Sequence, residues 1–135
     1  RPPRSTLFPY TTLFRSIITI QRLYIFIKMK NTQITINVEL DENHVPEKLS
    51  WNAQDGGIEN QETKATMISV WDDKKFEALR IDLWTKEMPV DQMKMFIHQI
   101  FVSLGHTYQR ATGEDDVADK IQEFAEDFAF MSKIK

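Results

Sequence analysis

The spacing of apolar residues changes along the chain, from alternation in its middle to helical spacing near its end. Residues 32–40, TQITINVEL, place an apolar side chain at every second position. The segments 64–72, KATMISVWD, and 77–85, EALRIDLWT, alternate in a similar way. A period of two residues is typical of a strand with one buried face. The pattern therefore predicts three strands, at residues 32–40, 64–72 and 77–85.

The last two predicted strands are separated by four residues only, which favours an antiparallel hairpin. One face of this hairpin then carries aliphatic residues, which we expect to point inward: Ile68, Val70, Leu79, Ile81 and Leu83. The other face carries a mixed set: Met67, Ser69, Trp71, Arg80, Asp82 and Trp84. Tryptophan on a nominally polar face either covers its own domain or binds a partner, since it is enriched among interface hot spots.

The segment 41–61, DENHVPEKLSWNAQDGGIENQ, shows no clear period. We interpret it as a long ordered loop in which Pro46 opens one helical turn over residues 46–51. Gly56 and Gly57 can adopt positive φ angles at little cost in free energy. Because loops often carry sites, His44, Trp51 and Asp55 form an alternative candidate pocket for a small ligand. The same loop could fold across the sheet and bury the other two tryptophans.

From Pro89 onward, apolar residues recur at helical spacing and predict two long amphipathic helices separated by Thr112 and Gly113. The first has an apolar stripe made of Val90, Met93, Ile97, Ile100, Phe101, Leu104 and Tyr108. The second has a stripe that we expect to be buried, made of Val117, Ile121, Phe124, Phe128 and Met131. Strands followed by helices indicate an α+β domain: a small antiparallel three-stranded sheet packed on one face by two long C-terminal helices.

The first 28 residues differ from the rest. Residues 6–16, TLFPYTTLFRS, resemble a translated sequencing adapter over eleven consecutive positions. We interpret residues 1–28 as an artefactual or untranslated leader that we expect to be disordered. Residues 29–135, starting at Met29, are then expected to form a single domain.

Charge and composition exclude several classes of function. The leader holds five of the 17 basic residues and none of the 20 acidic ones, so residues 29–135 carry a net charge of −8. Phosphate backbones and anionic lipids repel such a chain. We therefore expect no nucleic acid partner, no direct membrane insertion and, without a long apolar span, a cytoplasmic location.

The residues offer little material for catalysis. The chain has no cysteine, and its three histidines are His44, His98 and His106. The last two stand eight residues apart, which is about 12 Å along a helix, too far to share a metal ion unaided. No phosphate-binding loop, metalloprotease motif or nucleophile elbow is present. We therefore predict no catalytic residue, metal site or cofactor, and a protein that is not an enzyme.

Three stretches carry a family resemblance: IDLWTKEMPVDQMKMF at residues 81–96, VELDENHVPEKLSW at 38–51 and ISVWD at 68–72. They resemble the gliding-motility-associated GldC family, and the similarity spans nearly the whole chain from Met29. The resemblance implies a soluble bacterial accessory protein of surface gliding, without known catalytic activity or established binding residues.

The resulting hypothesis is a non-catalytic accessory protein that binds a protein of the gliding apparatus. Its candidate binding residues are Trp71, Arg80, Asp82 and Trp84. The alternatives are a small-ligand-binding domain or weak enzyme that uses the 41–61 loop, and a homo-oligomer formed across the same sheet face.

Overall fold

The computed structural model describes residues 29–134, so the predicted leader at residues 1–28 lies outside the described residues. The described chain forms five strands, β1 (Ile34–Leu40), β2 (Pro46–Ala53), β3 (Ile58–Thr63), β4 (Ala65–Asp72) and β5 (Glu77–Trp84). Two α-helices follow, α1 (Val90–Thr112) and α2 (Asp115–Met131). The α+β class is therefore confirmed. The chain divides into two compact units, one of residues 31–93 and one containing residues 94–134.

The first three strands form an antiparallel sheet in the order β1-β2-β3. In the central strand, Leu49 lies opposite Val38 of β1 and Thr63 of β3. Its side chain is 1% exposed and is the largest fully buried one in the described part of the chain. The centre of the small apolar core in this unit thus comes from a segment in which the sequence suggested no strand.

The interpretation of residues 41–61 as a loop with a helical turn is wrong. Residues 46–53 form β2, and residues 58–63 form β3. Pro46 opens a strand rather than a helix, and strand ends tolerate proline because its missing N–H breaks no interior hydrogen bond. Pairing on both sides outweighs the weak local preference for a helix. The expected positive φ is found at Gly57, at 70°, after a short 3-10 helix at Gln54–Gly56.

The strands β4 and β5 form the predicted antiparallel hairpin. Its turn is fixed by Asp72, whose carboxylate Oδ1 accepts hydrogen bonds from the N–H groups of Lys74 and Lys75 at 2.9 and 3.1 Å. Ile68 lies opposite Ile81, and Val70 lies opposite Leu79, so the aliphatic residues share one face as predicted.

Burial of that face does not follow the prediction. Val70, Leu79 and Ile81 are 55%, 49% and 55% exposed. Alternation therefore predicted which residues share a face, whereas their burial was overestimated. The packing of the two helices on one sheet face stays a prediction.

An ion-paired lysine joins the two sheets. Lys86 follows β5, and its ammonium contacts the carboxylates of Asp41, in the β1–β2 turn, and Glu47, in β2. The hydrogen bond from Lys86 lowers the pKa of Asp41, and the same bond raises the pKa of Lys86. Oδ1 of Asp41 also accepts the N–H groups of Asn43 and Val45 at 2.8 and 2.9 Å, which fixes the turn.

The helices α1 and α2 form an antiparallel hairpin around small side chains. Gly113 connects them with a φ of 73°, a conformation that glycine adopts without strain. Gln122 of α2 donates to the carbonyl of Val102 in α1 at 3.1 Å. A Cβ on Gly105 would lie 2.5 Å from Nε2 of Gln122, so glycine lets the helices approach closely here without displacing that side chain.

The buried side of α2 is not the predicted stripe. The residues of α2 that are buried are Ala118, Ala125 and Ala129. In the predicted stripe, Val117, Phe124 and Met131 are 43%, 54% and 79% exposed, while Ile121 and Phe128 are half-buried. Alanine suits these buried positions because small side chains allow two helix backbones to approach closely.

Candidate functional site

The outward face of the β4–β5 hairpin brings together the four residues that the sequence singled out. Strand register places Trp71 opposite Ala78, and Trp84 opposite Ala65. Between these ends, Arg80 lies opposite Ser69. Because side chains alternate along a strand, Asp82 shares this face. We call this surface, made of Trp71, Arg80, Asp82 and Trp84 with Met67 and Ser69, the tryptophan face.

Both tryptophans are open to solvent. Trp71 is 62% exposed and Trp84 is 53% exposed. Their positions in the ladder lie six residues apart along β5, which corresponds to about 20 Å. Each has only an alanine as its cross-strand neighbour. The indoles therefore form two separate contact points at opposite ends of one face, and the expectation that the 41–61 segment covers them is wrong.

Arg80 occupies the middle of the tryptophan face in a fixed orientation. Its Nη1 donates to Oγ of Ser69 at 2.6 Å, and its Nη2 donates to Oδ1 of Asp82 at 2.9 Å. The side chains of Arg80 and Asp82 are 49% and 39% exposed, so the ion pair itself adds little stability. These bonds use two of the five N–H donors of the guanidinium. The others remain for an acceptor on a binding partner.

The arrangement is suited to recognition of a protein. Tryptophan and arginine are the residue types most enriched among interface hot spots. The indoles offer large apolar surfaces with one N–H donor each, and the guanidinium offers a planar set of donors between them. A partner with two apolar pockets and a central carboxylate or carbonyl would match this face.

Sequence reasoning missed Ser69 as a member of the site. It was assigned to the correct face, but its contact with Arg80 depends on the strand register. The signal that could have identified it is the four-residue spacing between the strands, which makes Ser69 and Arg80 a cross-strand pair. Without Ser69, the guanidinium would have one anchor instead of two.

The residues of the alternative pocket do not come together. His44 lies in the turn before β2, and Asp55 lies in the 3-10 helix after it. A strand of eight residues between them spans about 25 Å. Trp51 is half-buried in the middle of β2, opposite Ile36 and Gln61.

Two cavities of the strand unit lie elsewhere. One, of about 370 Å³, is lined by polar residues of the sheet and the β2–β3 turn, among them Thr35, Asn52 and Glu59. Another, of about 420 Å³, lies among Lys48, Glu62 and neighbouring residues. Neither lining includes His44, Trp51 or Asp55.

The helical histidines also have separate surroundings. His106 is exposed, whereas His98 is half-buried, with its ring stacked 6.5 Å from that of Phe128. Its buried Nε2 finds no hydrogen-bond partner among residues 29–134. Within that range, the histidine and carboxylate side chains form no group of three or more that could hold a metal ion.

Neither helix of the described chain is both long enough and apolar enough to cross a membrane. No curated protein and no solved structure matches the sequence. A family model does match, that of the gliding motility-associated protein GldC-like family, over residues 46–134. The match contains every strand from β2 to β5 and both helices. It covers well over half of the 135 residues, and the chain therefore belongs to the GldC-like family of gliding motility-associated proteins.

Proposed function

We propose that this protein is a non-catalytic accessory protein of bacterial surface gliding. It binds a protein of the gliding apparatus through the tryptophan face. The observation that carries this proposal is the exposure of two tryptophans on one strand face, at 62% and 53%, with an anchored arginine between them.

Two further observations support the proposal. Membership of the GldC-like family associates the chain with gliding motility. The absence of cysteine and of nucleotide- or metal-binding motifs from the whole sequence favours binding over catalysis. The net charge of −8 over residues 29–135 favours a protein partner over nucleic acid. We also propose a cytoplasmic location, because the sequence contains no long apolar span.

The energetics of such a face are concentrated in few residues. Truncation of a hot-spot tryptophan typically costs about 2 kcal/mol or more of binding free energy, which is about a 30-fold loss of affinity. Because Trp71 and Trp84 are exposed, their removal should cost the fold itself little. Binding and stability can therefore be separated by mutation at these positions.

The test compares the wild-type chain with the Trp71→Ala, Trp84→Ala double variant in gliding cells. Both are expressed in place of the chromosomal copy, cross-linked and recovered. We expect the wild type to enrich a component of the motility apparatus and to restore colony spreading. The double variant should lose both, while its urea unfolding midpoint stays close to that of the wild type.

The matched control is Phe130→Ala, which removes an exposed aromatic residue of α2, 78% exposed, far along the sequence from the tryptophan face. It should behave as the wild type does. Equal recovery of the component by wild type and double variant would show that binding occurs elsewhere, and spreading by the double variant would sink the proposed role of this face.

A further inference from the structure

Each helix of the α1–α2 hairpin carries two lines of residues with a spacing of three and four. One line faces the other helix, and we call it the inner seam. In α1 it consists of His98, Phe101, Gly105, Tyr108 and Thr112, and in α2 of Ala118, Gln122, Ala125 and Ala129, followed by the C-cap residue Ser132. It contains Gly105 and the three alanines, which are the buried residues of these helices. The inner seam closes the hairpin within a single copy.

The second line runs beside the first on both helices, and we call it the outer seam. In α1 it consists of Ile97, Ile100, Leu104, Thr107 and Ala111, and in α2 of Val117, Ile121, Phe124, Phe128 and Met131. Nine of these ten residues are apolar, and none is charged. Phe101 of the inner seam contacts the rings of Phe124 and Phe128, with centroids 5.3 and 5.1 Å away. These contacts place the α1 and α2 parts of the outer seam on one side of the hairpin.

Much of the outer seam is exposed. Leu104 is 51% exposed, Phe124 is 54% exposed and Met131 is 79% exposed. None of its ten residues reaches the burial of the inner alanines. A continuous apolar face of this size is expected to bury itself against another surface.

The spacing of the outer seam indicates what kind of surface that is. Alternating steps of three and four residues keep a seam aligned with a neighbouring helix, because side chains then insert between those of the partner. A helix with two such seams packs against two neighbours, as in four-helix bundles. The missing neighbours are therefore helices, and a hairpin needs a pair of them.

Charge identifies the source of that pair. Residues 29–135 carry a net charge of −8, so most surfaces of two copies repel each other. The outer seam has no charged member and can meet its own copy without burying an ion. A second copy carries the same seam, so two copies related by a two-fold axis can cover each other's apolar face.

The area is sufficient for a dimer. The 17 residues of α2 span about 26 Å, and two helices side by side are about 20 Å wide. Each copy thus offers about 500 Å², and a dimer buries about 1,000 Å², the lower limit of a specific interface. We propose that two copies associate through their outer seams and form a four-helix bundle of α1 and α2 from each copy. This assembly uses different residues from the tryptophan face and does not rest on the proposed function.

The first test is the mass of the full chain in solution, measured by light scattering over a dilution series. We expect twice 15.9 kDa at micromolar concentration. We also expect the thermal midpoint to rise with protein concentration, as it does when folding and association are coupled. A monomer at all concentrations, with a constant midpoint, would overturn the proposal and indicate that another segment or another protein covers the seam.

The second test uses two variants that add the same charge to α2. Phe124→Glu places a carboxylate in the outer seam, and we expect the dimer to dissociate about 100-fold more readily. Phe130→Glu adds it at an exposed aromatic residue that belongs to neither seam, so its dissociation constant should stay within about threefold of the wild type.

Phe124 also touches Phe101, so the hairpin itself could be weakened by the substitution. Val117→Glu provides a second disruption in the outer seam, at a residue that takes part in no ring contact. Helical circular dichroism must stay at the wild-type level for the variant that is scored. A folded outer-seam variant that remains dimeric would overturn the proposal, as would dissociation caused equally by Phe130→Glu or by loss of Trp71 and Trp84.

Discussion

The β4–β5 hairpin and the α1–α2 hairpin both expose large apolar side chains, but they differ in what lies among them. On the tryptophan face, Trp71 and Trp84 flank an exposed ion pair between Arg80 and Asp82. On the outer seam, apolar residues follow each other through two helices without a charge. Aromatic residues mixed with arginine are typical of interfaces that form and dissociate, whereas permanent interfaces are more uniformly apolar.

The exposure of apolar side chains therefore does not by itself indicate what kind of partner a surface binds. A face that contains polar groups tolerates water, because its ions and indole N–H groups stay hydrated between binding events. A face made almost entirely of apolar side chains gains little from water and becomes more stable when it is covered. The two hairpins therefore fit the two different occupants that we propose, a protein of the gliding apparatus for the strands and a second copy of the chain for the helices.

The largest effect should come from filling the inner seam, which tests whether it alone closes the helical hairpin. Gly105→Leu places a bulky side chain where even a Cβ would lie 2.5 Å from Gln122 and 3.3 Å from Ile121. Overpacking of this kind costs about 3 kcal/mol of unfolding free energy. Urea denaturation followed by circular dichroism measures the loss.

Gly105→Ala is the matched control. Its Cβ displaces only the flexible end of Gln122, and alanine gains about 1 kcal/mol over glycine in a helix interior. The two terms roughly cancel, so its stability should lie within about 1 kcal/mol of the wild type. If leucine were tolerated as well as alanine, the helices would not approach each other at Gly105, and the distinction between the two seams would fail.

Much of the tryptophan face could be predicted from the sequence. Alternation assigned Trp71 and Trp84 to one face, and the short turn after Asp72 fixed the register that pairs Ser69 with Arg80. Local rules suffice here because a hairpin with a four-residue turn is determined by neighbouring residues. Exposure could not be predicted, since it depends on what the rest of the chain covers.

The β2–β3 segment shows where such rules fail. Its residues are mostly polar, begin with a proline and include two glycines. The strand character of Leu49 and Trp51 comes from pairing with β1 and β3 rather than from their neighbours in sequence. In α2, likewise, the larger stripe from Val117 to Met131 obscured the alanine line that is actually buried. The large apolar side chains identified one apolar face of the helix, but they did not indicate which line of residues is buried within a single copy.

Salt should affect the two proposed interactions differently, and we expect its effect to be smaller than that of Gly105→Leu. Raising NaCl from about 0.05 M to about 0.5 M screens the charges around Arg80 and Asp82, so recovery of the motility component should fall about threefold. The dimer should be unchanged or slightly tighter, because its seam has no ion pair and screening reduces repulsion between acidic copies. Light scattering and pull-down at both salt concentrations measure the two. Dissociation of the dimer by salt would mean that charges hold it together, which contradicts the comparison.

The smallest effect is expected at the Asp41–Lys86 ion pair, which acts on the strand unit alone. Since Lys86 lowers the pKa of Asp41 from 3.8, this carboxylate contributes stability above that value and loses it as pH falls through the folded-state pKa. Asp41→Asn keeps an acceptor for the turn but cannot form the ion pair. Its unfolding midpoint should be lower than that of the wild type near neutral pH, and the gap should narrow as the pH falls below 3.8 and through the lowered folded-state pKa of Asp41.

Tryptophan fluorescence can follow this titration in the strand unit. The three tryptophans, Trp51, Trp71 and Trp84, all lie in the strand unit, whereas the circular dichroism of the helices reports mainly on α1 and α2. The fluorescence midpoint should therefore carry the pH-dependent gap between wild type and Asp41→Asn. All other carboxylates are common to both proteins, so their titration cancels in the difference. A gap that stays constant at every pH where both proteins fold would show that Asp41 contributes through its turn and not through its charge, and the strand unit would then lack the stabilising ion pair between its two sheets.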